Sequence, residues 1–340
     1  MADARAAEVR VAEAEGVDPR ALPADVLAST EPVLLRGLVA GWPMVRAAQA
    51  GARTAIDYVR GFDGGDAVTA FVAPPEVGGR YFYNDDLSGF NFVPQRLRLA
   101  TVLDTLAQQL DAARPPGVYV GSTTVETCLP GFREANDVGF GDLAPLASVW
   151  LGNRSRIPAH QDLPDNLACV VAGRRRFTLF PPEQLPNLYV GPIDFTPAGQ
   201  PISLVDMAAP DLARHPRFAE AQRHARTVEL APGDALFVPS MWWHQVEGLD
   251  AFNVLVNYWW RRAPAWMDAP MNALMAALLC VRDLPPEQRR IWHDIFRHYV
   301  FEHDAERVAH IPESARRALA PLDDAAAREL RARLLHRFNR

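Results

Sequence analysis

The sequence has 340 residues, a formal net charge of −6, and 49% hydrophobic against 22% charged residues, the balance of a folded chain and not of a disordered one. All 35 of its Lys+Arg residues are arginine, which excludes lysine Schiff bases, pyridoxal phosphate held through lysine, and a P-loop. Any fixed cation in an active site must then be an arginine or a metal.

No basic run exceeds Arg174-Arg175-Arg176, and no apolar stretch reaches the roughly 18 residues of a membrane span. Nucleic acid and membrane are therefore disfavoured as partners. Cys128, Cys169 and Cys280 lie far apart without a CxxC pair, so neither a disulfide framework nor a zinc knuckle is expected. With no basic-then-apolar leader at the N-terminus, the expectation is a reduced, cytoplasmic protein.

In chain order, the Ala-rich stretches 2–15 and 23–29 predict short helices, and Pro32–Gly37 predicts a strand closed by glycine. A helix is expected over 54–60 and a strand over 67–72, followed by an extended aromatic stretch, Arg80–Tyr83. Residues 100–113 place Val102, Leu103, Leu106 and Leu110 on one helical face. Pro115-Pro116 ends that helix and marks a boundary. Eight short runs follow, at 117–121, 147–152, 167–172, 175–180, 226–230, 235–239, 242–247 and 252–260, rich in β-branched and aromatic residues and separated by Gly and Pro turns. They predict a β-sandwich or barrel. The stretch 183–225 reads as an irregular insertion with one helix near 210–224. Helices are expected at 265–281, 285–300 and 312–337. The expected segments are thus 1–115 (flanking helices and strands), 116–262 (barrel core) and 263–340 (helical region).

Two elements carry chemistry. His160-Gln161-Asp162 puts an imidazole and a carboxylate on one face of an extended chain, and His244 follows Trp242-Trp243 about 82 residues later. Two histidines and one carboxylate suit a non-haem Fe(II) with open positions. Taken alone, HxD is a cheap pattern, and a histidine beside tryptophans is usually structural. Their joint placement inside the β region is what raises the metal reading.

These residues sit in a longer pattern: Pro158–Asp162, Asn166, Gly173–Pro182, Pro232-Gly233-Asp234, Phe237-Val238-Pro239, Trp242-Trp243-His244 and Val256–Trp259. Over about 30–262 it resembles the cupin-like, Jumonji-type (JmjC) Fe(II)- and 2-oxoglutarate-dependent oxygenases, among them the asparaginyl hydroxylase of hypoxia-inducible factor and bacterial cupin-like proteins. The resemblance implies a mainly β fold: a double-stranded β-helix, or jelly roll, with flanking N-terminal α/β elements and a C-terminal helical region. It implies His160, Asp162 and His244 as the catalytic metal triad. It further implies Asn166 and Asn257 near the chelating end of 2-oxoglutarate, and Arg175 in place of the family's usual lysine on the distal carboxylate. Strand alternation puts Arg175 on the opposite face from Arg174 and Arg176. Tyr119 is a second candidate for that carboxylate, and Thr178 could replace a hydroxyl that Ile157 does not supply. Tyr83 and Asp85 resemble substrate-facing residues, though an aromatic edge strand explains them equally.

The implied activity is O2-dependent hydroxylation of a C–H bond, coupled to decarboxylation of 2-oxoglutarate to succinate. A protein or peptide side chain is the leading substrate. Small-molecule hydroxylation, a non-catalytic metal-binding cupin and a non-oxygenase cupin with a three-histidine ligand set stay open. Met271, Leu274, Leu278, Leu322, Leu330 and Leu334 form apolar stripes on the C-terminal helices. By resemblance these imply a homodimer, with packing against the barrel as the alternative.

Overall fold

The structure is a computed structural model describing residues 10–339. The described residues divide into two units, one ending at Arg262 and the other starting at Ala263. In the first, β1 (Ala12–Glu15), α1 (Ala24–Leu27), β2 (Val33–Arg36), α2 (Pro43–Ala50), α3 (Ala52–Arg60), β3 (Ala67–Ala73), β4 (Val93–Arg98) and α4 (Leu99–Gln109) lead into the barrel. The barrel then takes β5 (Gly117–Thr124), a short α5 (Val125–Cys128), β6 (Leu146–Gly152), β7 (Ser155–Gln161), β8 (Asp165–Ala172) and β9 (Arg175–Phe180). After a long insertion containing α6 (Phe218–His224), it closes with β10 (Arg226–Leu230), β11 (Ala235–Val238), β12 (Trp243–Gly248) and β13 (Asn253–Trp260).

Nine strands form one sheet, ordered β1-β2-β11-β8-β13-β6-β5-β3-β4, and four form another, β10-β9-β12-β7. The two sheets face each other as a jelly roll. Strands before and after Pro115-Pro116 share the larger sheet, since β3 pairs antiparallel with β5. At its open edge β4 carries Pro94, Arg96 and Arg98.

Alternation along each strand sorts side chains into two cores. Along β8, Ala168 and Val170 point between the sheets, where they meet Phe177, Leu179, Leu236 and Leu255. Leu167, Cys169 and Val171 point outward, into the layer that α2, α3 and α4 build with Met44, Ile56 and Leu103. Each strand buried on both faces therefore reads as a continuous apolar run. A third cluster (Phe180, Leu188, Phe218 and Trp243) seats the insertion on the outside of the smaller sheet.

Several expectations change. Residues 12–15 are not helical: they pair in parallel with β2, while residues 2–9 lie outside the described residues. Four elements went unread: α2, β4, the short α5 and β7, the last being the strand that carries His160. The insertion's helix is shorter than 210–224 and begins at Phe218.

The second unit holds α7 (Pro270–Cys280), α8 (Pro286–Phe296) and α9 (Asp324–Phe338). The continuous helix expected over 312–337 is broken: two short 3-10 turns precede α9, whose start is capped by Asp323 accepting from the Ala326 amide at 2.8 Å. Neither α7 nor α8 buries a residue.

Candidate metal centre

The site begins with two antiparallel neighbours. β12 pairs with β7 so that His244 lies directly opposite His160, with ring centroids 4.3 Å apart. Both side chains point between the sheets, whereas Trp243, one residue away, points into the outer cluster. Asp162 follows at the end of β7. Cross-strand ties hold this end: Met241 N donates to Asp162 O at 2.9 Å, and Gln161 Nε2 donates to Met241 O at 2.6 Å. Met241 turns the chain there with φ of 67°.

Each histidine is oriented by its own strand. His160 Nδ1 donates to Pro158 O at 2.8 Å, and His244 Nδ1 donates to Trp242 O at 3.0 Å. A carbonyl oxygen only accepts, so Nδ1 carries a proton in each ring and Nε2 is the nitrogen left for a ligand. His244 Nε2 lies 3.4 Å from Asp162 Oδ2. Ligand atoms of His160, Asp162 and His244 all fall within 4.8 Å of one another, and among the described residues no other such cluster of three occurs.

The electrostatics favour a neutral His160 and an ionised Asp162, with His244 held towards its charged form by Asp162. Burial, with the neighbouring His244, pushes the His160 imidazole down to about 4. Burial acts the same way on His244, but its contact with Asp162 outweighs burial and raises it. Asp162 resists its own burial through the hydrogen bond to His244 and sits below the usual carboxylate range. Neutral imidazoles and an ionised carboxylate are what a divalent metal requires.

The three residues line one wall of a cavity of about 430 Å³. Asn166, Asn257, Tyr119 and Arg175 line it too. Asn257 Nδ2 donates to Asn166 Oδ1 at 3.1 Å, and its Oδ1 accepts from Trp150 Nε1 at 2.7 Å.

Arg175 is 2% exposed. Arg174 and Arg176, on the other face, pair outside with Asp250 and with Glu229 and Glu247. The Arg175 guanidinium reaches Trp150 O at 3.4 Å and sits against the Tyr119 phenol. Among the described residues no carboxylate pairs with it, and its Nε has no partner. Burial lowers its affinity for the proton. A buried cation without a carboxylate partner is costly, which suits that end of the cavity to an anion.

Thr178 is not brought into the cavity. It shares the outer face of β9 with Arg176, because alternation gives the inner face to Arg175 and Phe177. Tyr83 and Asp85 line a separate cleft with Arg80, Arg156 and Asp206. Cavity residues the sequence did not flag include Phe71, Trp150 and Gln200, while Tyr81, from the aromatic stretch Arg80–Tyr83, lines the cavity in place of Tyr83. Alternation along β3 and β6 could have found Phe71 and Trp150. Gln200, in the irregular insertion, gives no such signal.

A family model described as "Cupin-like domain" matches residues 19–265. Human "HSPB1-associated protein 1" is 36% identical over 162 residues, 46% of this chain and 33% of that protein, so the match spans about a third of the relative's length. The human "Bifunctional peptidase and (3S)-lysyl hydroxylase JMJD7" is 27% identical over 274 residues, 69% of this chain and 79% of the relative. "Lysine-specific demethylase JMJ31" of Arabidopsis thaliana is 36% identical over 125 residues, 36% of this chain and 22% of that protein. With the jelly roll and the converging His160, Asp162 and His244, these matches show that the chain belongs to the JmjC-type, cupin-like family.

Proposed function

We propose that the protein is an Fe(II)- and 2-oxoglutarate-dependent oxygenase that hydroxylates a C–H bond on a protein or peptide side chain. The observation that carries this reading is a buried guanidinium with no carboxylate partner in the same cavity as two converging imidazoles and a carboxylate. Such a cavity suits a metal at one end and a dicarboxylate between the two. The donor set fits a divalent first-row metal.

When bound, iron and 2-oxoglutarate supply O2 activation, with succinate and CO2 as co-products. The chain's own residues do the rest. His160 and His244 offer Nε2 atoms fixed by their Nδ1 hydrogen bonds, and Asp162 offers a carboxylate. Arg175 and Tyr119 bind the distal carboxylate, with the guanidinium able to take it through two N–H groups. The Asn166–Asn257 pair presents amides to the chelating end, held in place by Trp150. Phe71, Tyr81 and Trp150 line this space with aromatic surface, which lowers the local dielectric and strengthens each of these contacts.

A protein or peptide substrate follows from the likeness to JMJD7, the relative whose match covers most of both chains among those given above. The test has two parts. Anaerobic addition of Fe(II) and 2-oxoglutarate should produce the visible charge-transfer band of a chelated 2-oxoacid, and its absence would refute the oxygenase reading. Mass spectrometry should then find a one-oxygen gain on peptides, absent with His160→Ala; products confined to metabolites would move the substrate to small molecules.

We further propose a homodimer formed through the C-terminal helices. Leu274, Leu279, Ile291 and Leu334 are exposed there, with Leu279 at 76%, and apolar surface of this kind marks association sites.

A further inference from the structure

The longest insertion, between β9 and β10, does more than decorate the barrel. Part of it doubles back as a hairpin laid along the edge of β7. Gly191 N donates to Ile202 O at 2.9 Å, Leu204 N to Tyr189 O at 3.0 Å, and Ser203 N to Ala159 O at 2.8 Å. Ile202 forms a bridge with His160 itself. The tip of this strap reaches the cavity with Pro197, Ala198 and Gln200. It is pinned from the far side, where Tyr83 donates its hydroxyl proton to Phe195 O and the Phe195 ring stacks on Phe90 at 4.8 Å.

Gln200 Nε2 donates to Asp162 Oδ1 at 3.1 Å. The other oxygen, Oδ2, is the one that faces His244 Nε2. A carboxylate can bind a metal through one oxygen or both, and binding through both would take a position needed by co-substrate or O2. We propose that Gln200 is a positioning residue: its amide occupies Asp162 Oδ1, so that only Oδ2 is presented to the metal. This rests on the metal-centre reading above and extends it to a residue on the strap. Pinning by Tyr83 and Phe195 fixes where the amide stands, so the strap sets the coordination mode of the ligand.

The test uses the full chain and Co(II) as a spectroscopic probe, with no co-substrate and no turnover. Wild type, Gln200→Ala and Gln200→Met are titrated calorimetrically, and the cobalt d–d spectrum is recorded at saturation. Both variants should bind Co(II) about 10–100-fold more weakly, the usual cost of losing a group that orients a metal ligand. Their d–d spectra should differ from wild type, because Asp162 is then free to bind through both oxygens. Methionine keeps the side-chain volume, so a structural role alone would leave Gln200→Met unchanged. Wild-type affinity and spectrum in Gln200→Met overturn the assignment, even if Gln200→Ala is impaired through loosening of the strap. A wild-type chain that binds no Co(II) would instead remove the metal centre, and this inference with it.

Discussion

At the scale of single residues, the cavity is marked by a buried charge, that of Arg175, that no carboxylate pairs with among the described residues. Because its charge is buried without such a partner, Arg175→Met should not lower the unfolding temperature of the co-substrate-free protein. The same variant should weaken 2-oxoglutarate binding by on the order of 100-fold, the size expected when a buried, two-point ion pair is lost. Calorimetric titration beside thermal unfolding checks both halves, and a destabilised variant with unchanged affinity would make Arg175 a structural residue.

Tyr119 supplies a pH signature. Burial raises its hydroxyl from 10.0 to about 12, with nearby Arg175 opposing the rise. Between those values the unfolded chain has lost a proton that the folded chain keeps. The stabilisation is therefore complete below pH 10 and is lost as pH rises through about 12. Tyr119→Phe should accordingly lose less stability than wild type over that window, as read by urea unfolding at stepped pH.

The site was unevenly legible at this scale. His160, Asp162 and His244 are weak signals one by one and became legible through their joint placement in the β region and the longer pattern around them, while Arg175 could be separated from its neighbours by alternation alone. Gln200 could not be read, because its role depends on a hairpin closing across 38 residues onto Asp162. Thr178 was offered as a hydroxyl donor, yet alternation along β9 already assigned it to the outer face.

At the scale of elements, what positions the site is a set of turns and pairings. Gly173 has φ of +66°, and a Cβ there would stand 2.4 Å from Asn253 Oδ1 and Phe252 O. It ends β8 and starts the arginine run, so it governs which way Arg175 points. Gly173→Ala should cost at least about 1–2 kcal/mol from the left-handed backbone alone. Chemical denaturation measures that loss, and 2-oxoglutarate affinity should fall with it.

Most strands announced themselves through β-branched and aromatic runs, but β7 did not. Its sequence, Ser155–Gln161, contains proline, arginine and histidine, and its strand character comes from pairing with β12. β1 erred in the opposite direction: Ala-Glu-Ala-Glu has helical composition, and pairing with β2 overrides that preference. In both cases tertiary pairing decided, and tertiary pairing is not local to the sequence.

At the scale of the whole molecule, the chain joins a jelly roll that holds the cavity to a helical unit whose α7 and α8 bury nothing of their own. The dimer proposed for that unit predicts twice the chain mass by light scattering at micromolar concentration. Charge substitutions at Leu274 and Leu279 should shift the population to monomer. A monomer that retains full activity would assign these apolar side chains some other role.

The edge strand β4 constrains how copies of this chain can meet. A sheet that ends in an unpaired strand is an invitation to join another sheet, and chains that accept it can grow into fibres. Val93 is 59% exposed at this edge, but Pro94 has no N–H to offer a newcomer, and Arg96 and Arg98 bring like charges against an identical edge. Self-recognition by continuing the sheet from one copy to the next across β4 is thereby discouraged, which turns this edge away from open-ended growth.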